Sequence, residues 1–294
     1  MNHLRPVTNL IFSILVTFLS ALTTLPLVFV GIISISSESS IAKKGYSFFP
    51  QQLSLDAYRY LIRSLDTIGR SFLVSVFVTV LGTLISLWLI STMAYVISRY
   101  DFVFRRFYTI LILIPMFFSG GLVASYAVNT QLFALKNSIW ALVLPQACSG
   151  WYIIVMRTYF SNNIPEDIID AARIDGAGTL RIFCEIVIPL SKPVFAAIGL
   201  FEAISYWNSW YNAMLYLRPE HQELYPLQYL LYSIQRNVEF MSTNDMISGA
   251  LVASMPTEAF RMAIVVVITA PILLTYPLVR KYFIKGMLIG GLKG

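Results

Sequence analysis

The chain has 294 residues, 57% of them hydrophobic and only 12% charged, with a mean hydropathy of +0.71. Soluble domains carry about 25% charged residues, so this composition excludes an ordinary soluble globule and points to a polytopic membrane protein. The net charge of +6 comes without a basic patch interleaved with aromatics, which argues against nucleic acid, and the two cysteines are too few for a disulfide framework.

Six apolar stretches are long enough to cross a bilayer as helices, at about 20 residues per crossing. Their expected bounds are 10–35, 71–98, 107–128, 138–160, 193–216 and 257–279, within one transmembrane domain covering 1–294. Helices are expected because lipid offers no partners for free backbone groups. The first stretch follows Arg5 and is too long for a signal peptide's apolar core. Pro26 within it predicts a bend.

Between the first two spans, Tyr46-Ser47-Phe48-Phe49-Pro50 has the composition of an aromatic interface anchor. Leu55, Tyr58, Leu61, Ile62 and Leu65 then recur at helical spacing among Asp56, Arg59, Arg63 and Asp66. That pattern predicts a short amphipathic helix at the membrane surface. It serves either as a brace or as a contact for an extracellular partner.

In the third span, Ser119-Gly120-Gly121 follows Pro115. Small residues there allow either close helix packing or lining of a pathway. The fourth span is expected to bend at Pro145 and Gly150, with Cys148 as a small packing residue. The fifth carries Tyr206-Trp207-Asn208-Ser209-Trp210-Tyr211-Asn212, aromatics beside amides. Aromatic faces stack on sugar C–H surfaces and amides bond hydroxyls, so these residues are candidate pathway lining. An aromatic belt at the lipid interface is the alternative. Glu202 in the same span is a functional candidate, because an acid at that depth needs a partner.

Lys and Arg distribution sets the orientation. With the N-terminus inside, Arg5, Arg99, Arg105, Arg106, Arg157, Arg173, Arg181, Lys192, Arg280, Lys281, Lys285 and Lys293 fall inside, 12 of 21 cations. Six spans then place both termini in the cytoplasm.

One polar stretch stands apart, from Glu166 to Pro189. Pro165 and two acids open a helix, Asp175-Gly176-Ala177-Gly178 breaks it, and a second helix is expected to end at Pro189. Ala171 and Ala172 on the first arm would let another protein approach closely. Ile182, Phe183 and Ile186 on the second arm form an apolar stripe for it to grip.

At these residues the chain resembles the permease subunits of ABC importers. Their coupling loop reads Glu-Ala-Ala, three residues, Gly, nine residues, Ile-x-Leu-Pro. Asp170-Ala171-Ala172, Gly176 and Ile186-Val187-Ile188-Pro189 keep that spacing, with Asp170 for Glu and Ile188 for Leu. Gly45-Tyr46-Ser47-Phe48-Phe49-Pro50, Tyr206-Trp207-Asn208 and Lys281-Tyr282-Phe283-Ile284-Lys285-Gly286 extend the likeness. They resemble the second permease of maltose-type sugar importers, in the branch for plant and algal oligosaccharides, including uronate polymers such as alginate.

The resemblance implies an all-α, six-helix type I importer permease with a cytosolic coupling helix in a bacterial inner membrane. It implies a heterodimer with a second permease, two ATPase subunits carrying ATP and Mg, and a solute-binding protein that delivers a carbohydrate. Asp170, Ala171, Ala172, Arg173, Asp175, Gly176, Ile182, Phe183, Ile186 and Pro189 would couple to the ATPases. Gly290, Gly291 and Lys293 in the tail would approach them. No G-x-x-x-x-G-K-[ST] phosphate loop is present, so the expectation is a subunit that is not itself an enzyme and binds no cofactor or metal. The competing readings are an ion-gradient secondary transporter, for which only Glu202 is a deep acid, and a membrane enzyme. The only histidines, His3 and His221, lie outside the expected spans, so no catalytic or metal cluster forms within them.

Overall fold

A computed structural model describes the backbone of residues 6–63, 65–243 and 257–290, and side chains over 8–63, 66–236 and 258–274. These residues are helical throughout. The exceptions are connectors and one isolated antiparallel bridge between Ser36 and Leu53.

In chain order the α-helices are α1 (Pro6–Ser34), α2 (Glu38–Lys44), α3 (Asp56–Arg63), α4 (Leu65–Ser98), α5 (Arg105–Phe117), α6 (Gly121–Ala127), α7 (Trp140–Val143) and α8 (Gly150–Asn163). They continue with α9 (Glu166–Ile174), α10 (Thr179–Ile182), α11 (Ile188–Leu190), α12 (Lys192–Trp207), α13 (Tyr211–Tyr216), α14 (Leu227–Thr243) and α15 (Thr257–Gly290).

Among the described residues two helices are by themselves long and apolar enough to span, Thr8–Ser34 and Asp66–Ser98. Thr179–Leu190 with Lys192–Trp207 would add a third, but that pair is bent by 83°. The expected third, fourth and fifth spans are each interrupted, and the helix that carries the second begins at Leu65, six residues earlier than expected. The sixth lies in α15, which runs on to Gly290; Gly291 and Lys293 lie outside the described residues.

The chain divides into two compact units, residues 1–69 with 231–271, and 70–230 with 272–294. In the first unit the predicted amphipathic helix is present as α3, with Ala57 and Leu61 buried. Tyr58 hydrogen-bonds Ser34 at 2.8 Å, and Phe48 packs on Phe29. The Glu38 carboxylate accepts from the Glu258 and Ala259 backbone N–H groups, at 3.1 and 3.3 Å. It thereby satisfies donors that a helix start leaves open. The Tyr46 hydroxyl donates to Glu258 at 2.5 Å. That bond, then burial, pushes the Tyr46 pKa up to about 12.

The second unit holds the largest buried cluster. Ile90, Ala94, Tyr95 and Ile97 of α4 meet Ile153, Met156 and Phe160 of α8, Ile169 of α9, Val194 and Ile198 of α12, and residues of the segment between α9 and α11.

Candidate functional site: an elbow and a belt of broken helices

α9 begins after Pro165 with Glu166 and Asp167 in its first turn, where acids complement the helix dipole. It ends in a Schellman turn. The Ala177 N–H donates to Ala172 O at 2.9 Å, the Gly176 N–H donates to Arg173 O at 3.0 Å, and Gly176 has φ +79°. A side chain there would strain the backbone, since the left-handed region favours glycine.

The second arm starts at Thr179 and continues through a π turn over Phe183–Val187 to Leu190. It therefore passes through Pro189, which the sequence places at its end.

Burial divides the residues of the elbow. Ile182 and Phe183 are each 2% exposed and belong to the unit's core; Ile186 is half-buried. These residues anchor the arm. Side chains that stand out at the tip are ones the sequence reading passed over, Ile174 at 87% exposure and Leu180 at 70%. They flank the Asp175–Gly178 turn, with Asp170, Ala171, Arg173, Asp175 and Gly176 exposed beside them and Ala172 half-buried. The signal for Ile174 and Leu180 was an apolar residue next to a turn.

Ion pairs hold the first arm to the connector after α4. Arg99, 5% exposed, pairs with Glu166 at 3.4 Å, and Arg173 pairs with Asp101 at 2.6 Å and with Asp170 at 3.4 Å. On the second arm Arg181 pairs with Glu185 at 2.9 Å on an exposed face.

Three helix breaks form a second feature. α5 gives way to α6 over 118–120, the short 3-10 turn after α7 gives way to α8 over 147–149, and α12 gives way to α13 over 208–210. The predicted bend at Pro145 and Gly150 is the second of these. The first two breaks adjoin. A Cβ on Gly150 would lie 2.9 Å from Met116 Cγ and 3.1 Å from Ile112 O, so α5 passes directly over that residue.

Tyr206 links the second break to the third. With the helix broken, the Ala147 N–H donates to Leu144 O instead of Val143 O. The Tyr206 hydroxyl donates to the Val143 carbonyl at 2.9 Å, and Ser86 hydrogen-bonds Tyr206 at 3.0 Å. Tyr206 is 2% exposed and Trp207 7%, and Trp207 packs edge-on against Phe72. Both pack inside the chain, whereas the sequence reading places them along a pathway. Tyr206→Phe is expected to remove the hydroxyl's bonds to Val143 O and Ser86 and to cost about 0.5–1.5 kcal/mol, read as a lower thermal unfolding midpoint in detergent. An unchanged midpoint would mean these bonds add nothing to stability.

The other belt residues keep accessible surface. Asn208, Gly120, Gly121 and Tyr211 are exposed, and Trp210 and Asn212 are half-buried. Asn208 accepts from the Gln228 side-chain amide at 3.1 Å and donates to Ile204 O at 3.0 Å. Glu202 is 3% exposed, within hydrogen-bonding reach of Ser86. Cys148, expected to pack inside, is exposed with its thiol 3.6 Å from Met93 Sδ.

The chain is similar to known transport proteins over nearly its whole length. It is 40% identical to the polygalacturonan/rhamnogalacturonan transport system permease protein YtcP of Bacillus subtilis, over 97% of both chains. It is 36% identical to the Bacillus subtilis protein LplC, over 93% of this chain and 90% of that one. In three dimensions it resembles a chain of a bacterial ABC transporter involved in the import of the acidic polysaccharide alginate. The TM-score is 0.81 at 29% identity, covering 96% of this chain and 100% of that one. Residues 86–289, which include the elbow and the belt, match the model of the binding-protein-dependent transport system inner membrane component. The chain therefore belongs to the family of inner membrane permease components of binding-protein-dependent transport systems, with their type I permease fold.

Proposed function

We propose that this chain is one of two permeases in an ATP-driven importer of acidic oligosaccharides derived from plant or algal polysaccharides. The observation that carries the reading is the elbow. It is a hairpin anchored in the chain's own core whose apolar tip, Ile174 and Leu180, is left uncovered. Surface apolar groups rimmed by charge are what a partner protein takes up. The partners on this reading are a second permease, two ATPases holding ATP and Mg, and a solute-binding protein. The chain crosses a bacterial inner membrane six times with both termini in the cytoplasm, and itself holds no cofactor.

The belt supplies the pathway on this reading. Non-helical backbone at membrane depth is tolerated only where protein or a water-filled cavity satisfies it. Gly120 and Gly121 would let a sugar pass close to backbone, and Asn208, Trp210, Tyr211 and Asn212 would contact hydroxyls and ring faces. Two relatives named for acidic polysaccharides favour a uronate cargo over a neutral one.

The test is purification of the tagged chain from its own membranes, then reconstitution of what co-purifies into liposomes with the binding protein. A second permease and ATPases are expected in the eluate, with ATP-dependent uptake of oligogalacturonates above that of neutral arabino-oligosaccharides. A chain that purifies alone and takes up sugar on an ion gradient would overturn the importer in favour of a secondary transporter.

A further inference from the structure

The last residues of α4 and the connector beyond it hold the elbow at three points. The Tyr95 ring lies 5.1 Å from the Phe183 ring on the second arm. The Arg99 guanidinium sits 5.3 Å over the Tyr95 ring and pairs with Glu166 at the start of the first arm. Asp101 pairs with Arg173 near the end of that arm. Three separated contacts leave the elbow little freedom to pivot against the inner end of α4.

α4 is also the rigid member of its surroundings. Of the expected spans lying within residues 70–230, only its own runs without a break. Along its length it is keyed to the belt. A Cβ on Gly82 would lie 2.5 Å from the Tyr206 ring, so that ring rests on bare helix backbone. Ser86 bonds the same tyrosine, and the Leu227 N–H donates to Ser75 at 2.7 Å. At 1.5 Å per residue, Arg99 and Ser86 are about 20 Å apart along the helix.

From this we infer that α4 is the rod through which movement of the elbow reaches the belt of broken helices, with Arg99 and Asp101 as the positioning residues that join rod to elbow. The inference rests on the reading of the elbow as the ATPase dock. α8 and α12 each run from the elbow only as far as their own break, so displacement carried by either ends there. An unbroken helix delivers its displacement to whatever is packed on it. The Tyr206 ring on Gly82, hydrogen-bonded to Val143 O, passes that displacement to the second and third breaks together.

The Asp101–Arg173 pair makes the idea testable without unfolding the chain, because both side chains are about half exposed and such pairs add little to stability. The experiment compares Asp101→Arg, Arg173→Asp and the double exchange in the complex co-purified with its ATPases, reconstituted with the binding protein and oligogalacturonates. The quantity read is sugar imported per ATP hydrolysed. Each single variant is expected to lower that ratio about fivefold, with the thermal midpoint unmoved. The double exchange should return it to within about twofold, since the pair is restored with its ends swapped. Native ratios in both singles would overturn the joint. Failure of the exchange to rescue would overturn it too, and would assign Arg173 to the ATPase surface instead. A native chain that holds no ATPase would overturn the dock and the joint together.

Discussion

Gly176→Pro is expected to abolish uptake while leaving the chain in the membrane. Two faults coincide in that variant. Proline fixes φ near −65°, whereas Gly176 sits at +79°. It also removes the N–H that Gly176 donates to Arg173 O. The combined cost is about 3 kcal/mol or more, which shifts the turn's population by more than about a hundredfold at 1.4 kcal/mol per tenfold. Space is no part of the effect, since nothing lies within 4 Å of a Cβ at this position. A graded series isolates the backbone. Asn enters the left-handed region more readily than other side chains, and Ala pays about 1–2 kcal/mol there. Uptake per ATP hydrolysed in reconstituted complexes should therefore fall in the order Gly, Asn, Ala, Pro. Equal uptake by the glycine and proline chains would remove the turn from the coupling mechanism.

The turn was legible in the sequence because its chemistry is local. Asp-Gly-Ala-Gly after a helix with Pro and two acids at its start has few other conformations open to it. The amphipathic α3 was legible for the same reason. Which face of the second arm the chain itself covers was not. At ideal helical spacing Ile182, Phe183 and Ile186 share one stripe, and periodicity says nothing of which side of a stripe the chain itself covers. The π turn over Phe183–Val187 then adds a residue to the helical turn and rotates the faces after it. Val187 becomes fully buried and Ile186 moves towards the edge.

The breaks divide along similar lines. Pro145 and Gly150 announce the second. The one at 208–210 contains neither proline nor glycine, and it follows a tyrosine whose hydroxyl is held 63 residues away in sequence, on Val143 O. A contact of that range leaves no local signature. Trp207 looked like a sugar platform because an aromatic beside an amide reads the same whether it faces a cavity or a core.

Ile174→Asp with Leu180→Asp is expected to strip the ATPases from the complex without unfolding the permease. Anchors at the centre of an interface cost about 2–4 kcal/mol each when lost, and a carboxylate set into an apolar pocket adds an unpaired buried charge. Loss of both should lower affinity by more than about a thousandfold, so the eluate would contain the two permeases and no ATPase. Both side chains are more than two-thirds exposed within the chain, so their replacement removes no internal contact of note. The paired control is Ile182→Asp, a few residues along the same elbow but 2% exposed. It buries a charge in the cluster that α4, α8 and α12 share and should reduce the amount of folded permease in the membrane. The two substitutions thus part on separate readouts, ATPase content against permease content. If the tip variant keeps its ATPases, docking lies elsewhere on the chain, and the exposed faces of Asp170, Ala171 and Arg173 become the surface to probe. If the Ile182 variant instead folds normally and loses the ATPases, the second arm must leave the core when the complex assembles, and the stripe legible in the sequence would be the docking face after all.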